Sequence, residues 1–145
     1  YVKRMRAWIY RCDEDRPTPI EPFFAGDERD PKTRYMYARE ALRGREIWDE
    51  IHDMVVTSVY KRKKRRFMVF FKRHNELQKN LAIRSLPGAA NVFEGDVLVA
   101  AMGPKHGIRN LSSTEERKAA NDAIVKLSRR LRRYRKMKFP AAMIV

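Results

Sequence analysis

The stretch Tyr60-Lys-Arg-Lys-Lys-Arg-Arg-Phe-Met-Val-Phe-Phe-Lys-Arg73 constrains this chain more than any other. It sets the unbroken cationic run Lys61 to Arg66 beside the apolar run Phe67 to Phe71, then adds Lys72 and Arg73. Like charges this dense repel one another in a compact protein unless an anion lies against them. Nucleic acid is the obvious polyanion, because each phosphate that a cation neutralises releases a condensed counterion. A second basic block follows late in the chain, with Lys126, Arg129, Arg130, Arg132, Arg133, Arg135, Lys136 and Lys138. The whole sequence holds 33 Lys and Arg against 18 Asp and Glu, a formal charge of +15.

The basic excess is not spread evenly. Residues 12–53 carry twelve acids against seven bases, so that segment is net negative while the two later blocks are strongly positive. Such asymmetry predicts a directed basic face, since uniform basicity would serve solubility alone. The alternative for one block is a solvated helix end whose charges match the helix dipole. Two blocks together with a pI near 10.4 favour binding over that alternative.

At 145 residues the chain has the size of one domain, and a hydrophobic content of 43% is that of a folded protein. Cys12 is the single cysteine, which rules out an internal disulfide and a thiolate metal cluster and fits a reducing compartment. No apolar run approaches the roughly 20 residues that span a bilayer. The charged start, Tyr-Val-Lys-Arg-Met-Arg, predicts no signal peptide. An intracellular location is expected, with cytoplasm, nucleus and mitochondrion not distinguished.

Local patterns then place the elements. Tyr1 to Cys12 has no clean period and fits a strand or a short helix. Pro17, Pro19, Pro22, Gly26 and Pro31 mark an irregular acidic arm anchored by Ile20, Phe23 and Phe24. The expected organisation is therefore an extended N-terminal arm over 1–31, then a single compact basic domain over 32–145 with a short apolar tail. Asp30 as N-cap and Pro31 as first residue start a helix running to about Arg43, with Gly44 as its terminator. Ile47, Trp48, Ile51, Met54, Val55, Ser58 and Val59 recur at helical spacing. Phe67, Phe70, Phe71, His74, Leu77 and Leu81 extend the stripe, so a long or broken helix over 45–83 is expected.

A rival reading makes Val55–Tyr60 and Phe67–Phe71 strands joined by a hairpin loop over Lys61–Arg66. That loop lacks the Gly, Asn and Asp of short hairpin turns, which favours the helix. Leu86-Pro-Gly-Ala-Ala-Asn91 is a break. Asp96–Met102 reads as a buried strand, Gly103-Pro-Lys-His-Gly107 as a turn, and Ile108–Leu111 as a second short strand. Ser113 and Glu116 form a capping box for a final helix over 113–137, striped by Ala119, Ala120, Ala123, Ile124, Leu127 and Leu131. The expected fold is α+β: mainly helical, with a small sheet near 92–111 and a basic C-terminal helix.

For function, the sequence predicts a non-enzymatic nucleic-acid-binding protein, RNA favoured over DNA, structural within a larger assembly with protein neighbours. Proteins of the ribosome and other ribonucleoproteins are often built in this style, with acidic and proline-rich arms beside basic helices. The binding residues expected are Lys61, Arg62, Lys63, Lys64, Arg65, Arg66, Lys72, Arg73, Lys105 and the C-terminal block named above. Arginine in that block suits forked contact with phosphate oxygens. No cofactor, metal, membrane or small-molecule partner is expected.

Two alternatives stand beside this reading. One is a DNA-binding or viral nucleocapsid-type protein. The other is a nucleic-acid-processing enzyme using His52 with nearby Asp49, Glu50 and Asp53, which a helix would bring across one turn. The absence of an HExxH pattern counts against the enzyme. Gly103–Gly107 could present amides and Lys105 to a phosphate, but it lacks the GxxxxGK[ST] loop and an ordinary turn is favoured.

Overall fold

A computed structural model describes residues 2–42, 51–72, 78–103 and 105–138. Its centre is the strand Val97–Met102, every residue of which is buried. An unbroken apolar run is what a strand needs when both of its faces are covered. In chain order the elements are β1 (Val2–Arg4), β2 (Ala7–Tyr10), β3 (Thr18–Ile20), β4 (Phe23–Ala25), α1 (Pro31–Ala41), β5 (Ile51–Tyr60) and β6 (Lys63–Lys72). There follow α2 (Leu81–Arg84), β7 (Val97–Met102), β8 (Ile108–Arg109) and α3 (Thr114–Lys138).

The main sheet runs β3-β2-β7-β6-β5, with β8 pairing the end of β7, and every described pairing in it is antiparallel. β1 and β4 form a separate ribbon. On one face, Tyr10, Val56, Phe67, Val69, Val97 and Val99 meet Ala119, Ala120, Ala123, Ile124 and Leu127 of α3. The alanines let the helix backbone approach the sheet closely. On the other face, Ile9, Met68, Phe70, Leu98 and Ala100 meet Phe24 and the α1 residues Tyr37, Ala38 and Ala41. Phe24, Tyr37 and Phe70 pack edge to face, with centroids 5.2 and 6.5 Å apart in turn.

Both N-cap residues act as expected, although the Glu116 carboxylate pairs with Arg109 instead of closing the capping box. Asp30 accepts the Lys32 amide at 3.0 Å with Pro31 at the head of α1, and Ser113 Oγ accepts the Glu116 amide at 3.0 Å. The buried strand expected at Asp96–Met102 is β7. The mainly helical reading fails: the described residues form eight strands in two sheets against three helices. The helix expected over 45–83 is, in its described part, the β5–β6 hairpin followed by the single turn of α2. Gly44, residues 45–50, residues 73–77 and the apolar tail lie outside the described residues.

The cause of that failure is physical. Phe67, Met68, Val69 and Phe70 are all buried because helices cover both faces, so the strand shows no polar alternation. Without alternation, an apolar run matches helical spacing by chance. Strand propensity in Val55, Val56, Thr57, Val59, Phe67, Val69, Phe70 and Phe71 then decides the outcome with β7 as partner.

Two tyrosines tie the layers together. Tyr10 donates to Asn121 Oδ1 of α3 at 2.7 Å, and Tyr37 donates to the Met5 carbonyl at 2.9 Å. Burial pushes both phenols above their ordinary range. A raised folded value leaves stability intact below the unfolded phenol value of about 10 and removes it as pH climbs beyond. The melting temperature should therefore fall with pH above about 10, and replacing both tyrosines with phenylalanine should flatten that limb. A melting curve unchanged across the alkaline range would contradict the burial of these phenols.

Candidate nucleic-acid interface

The basic block forms the tip of the β5–β6 hairpin. Ten residues pair on each side, from Ile51↔Lys72 to Tyr60↔Lys63, which leaves Lys61 and Arg62 as a two-residue turn. Their φ values are +50° and +64°, the left-handed pattern that such turns take and that Asn-Gly normally supplies. Left-handed backbone costs an ordinary L-residue about 1–2 kcal/mol. The turn chemistry that argued against a hairpin is thus present in conformation without its customary residues. The chain accepts that strain and keeps two cations at the apex.

The register sets the remaining cations on both sides of the ribbon. Lys64 and Arg66 pair with Val59 and Thr57, whose side chains stand on the α1 side of the sheet. Lys63 and Arg65 pair with Tyr60 and Ser58, on the α3 side. A cleft of about 370 Å³ opens between the ribbon and the end of β7, lined by Lys63, Lys64, Arg65, Arg66, Met102, Gly103 and Arg109. Arg66 Nη1 lies 3.3 Å from His106 Nδ1, which brings the β7–β8 turn and its exposed Lys105 beside the tip. Among the described residues no carboxylate lies within ion-pair distance of Lys61, Arg62, Lys63, Lys64, Arg65 or Arg66.

The α3 block is only partly joined to this cluster. Lys126 Nζ donates to the Val59 carbonyl at 3.3 Å and pairs with Asp122 at 2.7 Å, so it sits against the hairpin with its charge partly compensated. Arg130 and Arg133 are exposed at four and seven residues further along, on the same side of the helix. Arg132 is exposed as well. Arg129 instead donates to the Gly88 carbonyl at 2.7 Å. Gly88 has φ +81°, and a β-carbon there would run into the Arg129 guanidinium. α3 includes Arg135, Lys136 and Lys138, whose side chains lie outside the described part, as does Arg73. Lys72 occupies the far end of β6, about 30 Å from the tip at ordinary strand rise.

Two contributors escaped the sequence reading, Arg109 and His106. Arg109 pairs with Glu116 at 2.8 Å while lining the cleft. Nothing local marks it, since its place follows from the Ala101↔Arg109 register.

The carboxylate constellation around His52 does not form as a helix would make it. His52 and Asp53 are successive strand residues and so point to opposite faces, with the His52 ring stacked on Phe71 at 5.9 Å. Asp49 and Glu50 lie outside the described residues. Among the described residues no three His, Cys, Asp or Glu side chains are grouped to hold a metal. Burial pushes the Cys12 thiol up, and the Asp96 carboxylate adds to that shift. No helix among the described residues is long and apolar enough to cross a membrane.

The geometry defines a class in structural terms: an antiparallel sheet layered between helices, carrying a projecting cationic β-ribbon. No family description, curated protein or solved structure matches this chain.

Replacing Lys61-Arg62 with Asn-Gly tests the reading of the tip. Relief of two left-handed positions should raise stability by about 1–2 kcal/mol, read by urea titration, while affinity for nucleic acid falls. A loss of stability would contradict the two-residue turn.

Proposed function

We propose that this protein binds the phosphate backbone of nucleic acid through the β5–β6 tip and the neighbouring β7–β8 turn. It does so without catalysis, as an RNA-bound structural component of a larger assembly. The observation that carries the reading is the unneutralised run Lys61–Arg66, held at a strained turn and projecting from a packed sheet. Strained backbone at an exposed tip is retained where it serves function. Cations that no described carboxylate neutralises release counterions on meeting phosphates, and that release drives sequence-independent association. Lys126, Arg130 and Arg133 extend the positive surface along α3.

A second reading, duplex DNA, draws on the ribbon itself. The major groove of B-form DNA admits a two-stranded β-ribbon, whereas the A-form groove is deep and narrow. Competition among folded RNA, single-stranded RNA and duplex DNA at several salt concentrations separates the two. The RNA reading expects folded RNA to compete best and binding to weaken steeply with salt. Stronger competition by duplex DNA would move the assignment to DNA. Binding indifferent to salt would end both.

A further inference from the structure

The two outer edges of the main sheet are treated in opposite ways. β3 is three residues long and contains Pro19, with Pro17 just before it, so that edge offers little to a passing strand. β5 is ten residues long and has no proline, glycine, lysine or arginine between Ile51 and Tyr60. Natural proteins guard exposed edges with short strands, prolines and cations, and β5 itself carries none of these; its one carboxylate is Asp53, and Lys126 reaches it from α3.

The ladder identifies which groups are open. Hydrogen-bonded and non-bonded pairs alternate along an antiparallel pair, and the two-residue turn makes Tyr60 and Lys63 a bonded pair. Ile51, Asp53, Val55, Thr57 and Val59 therefore turn their amides and carbonyls outward. Among the described residues only Lys126 meets this row, at the Val59 carbonyl. Asp53, Val55, Thr57 and Val59 also expose their side chains, Val55 to 52% and Val59 to 58%, while Ile51 is half-buried against the α1-side core.

This row is self-complementary. When β5 meets a second β5 running the other way about a two-fold axis through Val55, Val55 faces its copy. Asp53 then faces Thr57, and Ile51 faces Val59. On the opposite side of the sheet, Met54 faces Val56 and His52 faces Ser58. Every pair matches apolar with apolar or polar with polar, and shifting the axis by one residue sets Asp53 against a valine. Charge selects the direction. Parallel pairing would lay one cationic tip beside the other, while antiparallel pairing sends them to opposite ends of a strand about 34 Å long.

We propose that this protein forms a two-fold dimer by edge-to-edge antiparallel pairing of β5 with β5, in the register that sets Val55 opposite its copy. The pairing joins two sheets into one and supplies about ten main-chain hydrogen bonds. It sends the two basic tips to opposite ends of the joined strands.

The test is the mass of the purified chain in high salt after nuclease treatment, so that nucleic acid cannot bridge copies. Light scattering should report a dimer. Val55→Lys sets like charges directly opposite and should raise the dissociation constant about tenfold or more. The residue is half exposed, so melting should be little changed. Oxidation in a Cys12→Ser background keeps the register testable even if that variant folds poorly. Val55→Cys should cross-link two chains readily, and Val59→Cys, which would face Ile51, should not. A monomer at every concentration, a dimer indifferent to Val55→Lys, or preferential cross-linking through position 59 would overturn the proposal.

Discussion

Replacing Lys61, Arg62, Lys63, Lys64, Arg65 and Arg66 with glutamine should weaken binding to RNA and duplex DNA about 100-fold or more in dilute buffer. The salt dependence is the sharper readout. Each lost phosphate contact should flatten the slope of log affinity against log salt by about 0.9 on duplex DNA and about 0.7 on a single strand. Fluorescence anisotropy with a labelled oligonucleotide over a range of salt measures both quantities at once. Lys61 to Lys64 are exposed and only Arg65 and Arg66 are half-buried, so melting should fall modestly at most. Neutralising Arg130, Arg132 and Arg133 should have a smaller effect, because Lys126, which joins α3 to the hairpin, already pairs with Asp122. Neutralising Lys79, paired with Glu94 at 3.1 Å, serves as the control. Full affinity and an unchanged slope after the six replacements would remove the tip from the interface.

The largest expected loss of stability comes from Asn80→Leu. Asn80 is 1% exposed, and its amide nitrogen donates to the carbonyls of Tyr10 at 2.8 Å and Gly95 at 2.7 Å. Its Oδ1 accepts the Ile83 amide at 2.9 Å and caps α2. One side chain thus fastens the end of β2, the approach to β7 and a short helix. Leucine fits the volume and satisfies none of the three groups, each of which then costs about 1–3 kcal/mol in the buried state. A combined loss of about 4 kcal/mol is a large share of the 5–15 kcal/mol that holds a typical domain together. For a chain of this size it should lower the melting temperature by roughly 10–20 °C. Asn80→Asp keeps the acceptor for Ile83 but faces two carbonyls without a donor, so it should also destabilise. A leucine variant melting within a few degrees of the parent would show that this bracket does not hold the three segments together.

Local signals were readable where a short-range interaction decides the structure. Asp30 with Pro31 and Ser113 with Glu116 cap their own helices within one turn, and both helices start where those residues indicate. Asp96–Met102 is apolar on both sides of the pleat and bounded by glycines, and it became the central strand. The hairpin was misread because its decisive partners are distant. β6 pairs Phe67 with Ala101 and Phe71 with Val97, contacts that no window of neighbouring residues contains. The positive φ at Lys61 and Arg62 is likewise imposed by the ladder that the turn must close, since neither residue favours it.

The cationic run Lys61–Arg66 and the basic α3 block were explicit in the residues themselves, because charge is carried by side-chain type and survives any fold. What only tertiary structure decided is the company those charges keep. Strand pairing turned one run into a ribbon tip and brought His106 and Arg109 to it. It also sent Lys72 to the far end, while the packing of α3 beside the turn at Gly88 tied down Arg129. Composition sets how much charge a chain carries, whereas the hydrogen-bond register between strands far apart in sequence sets where that charge stands.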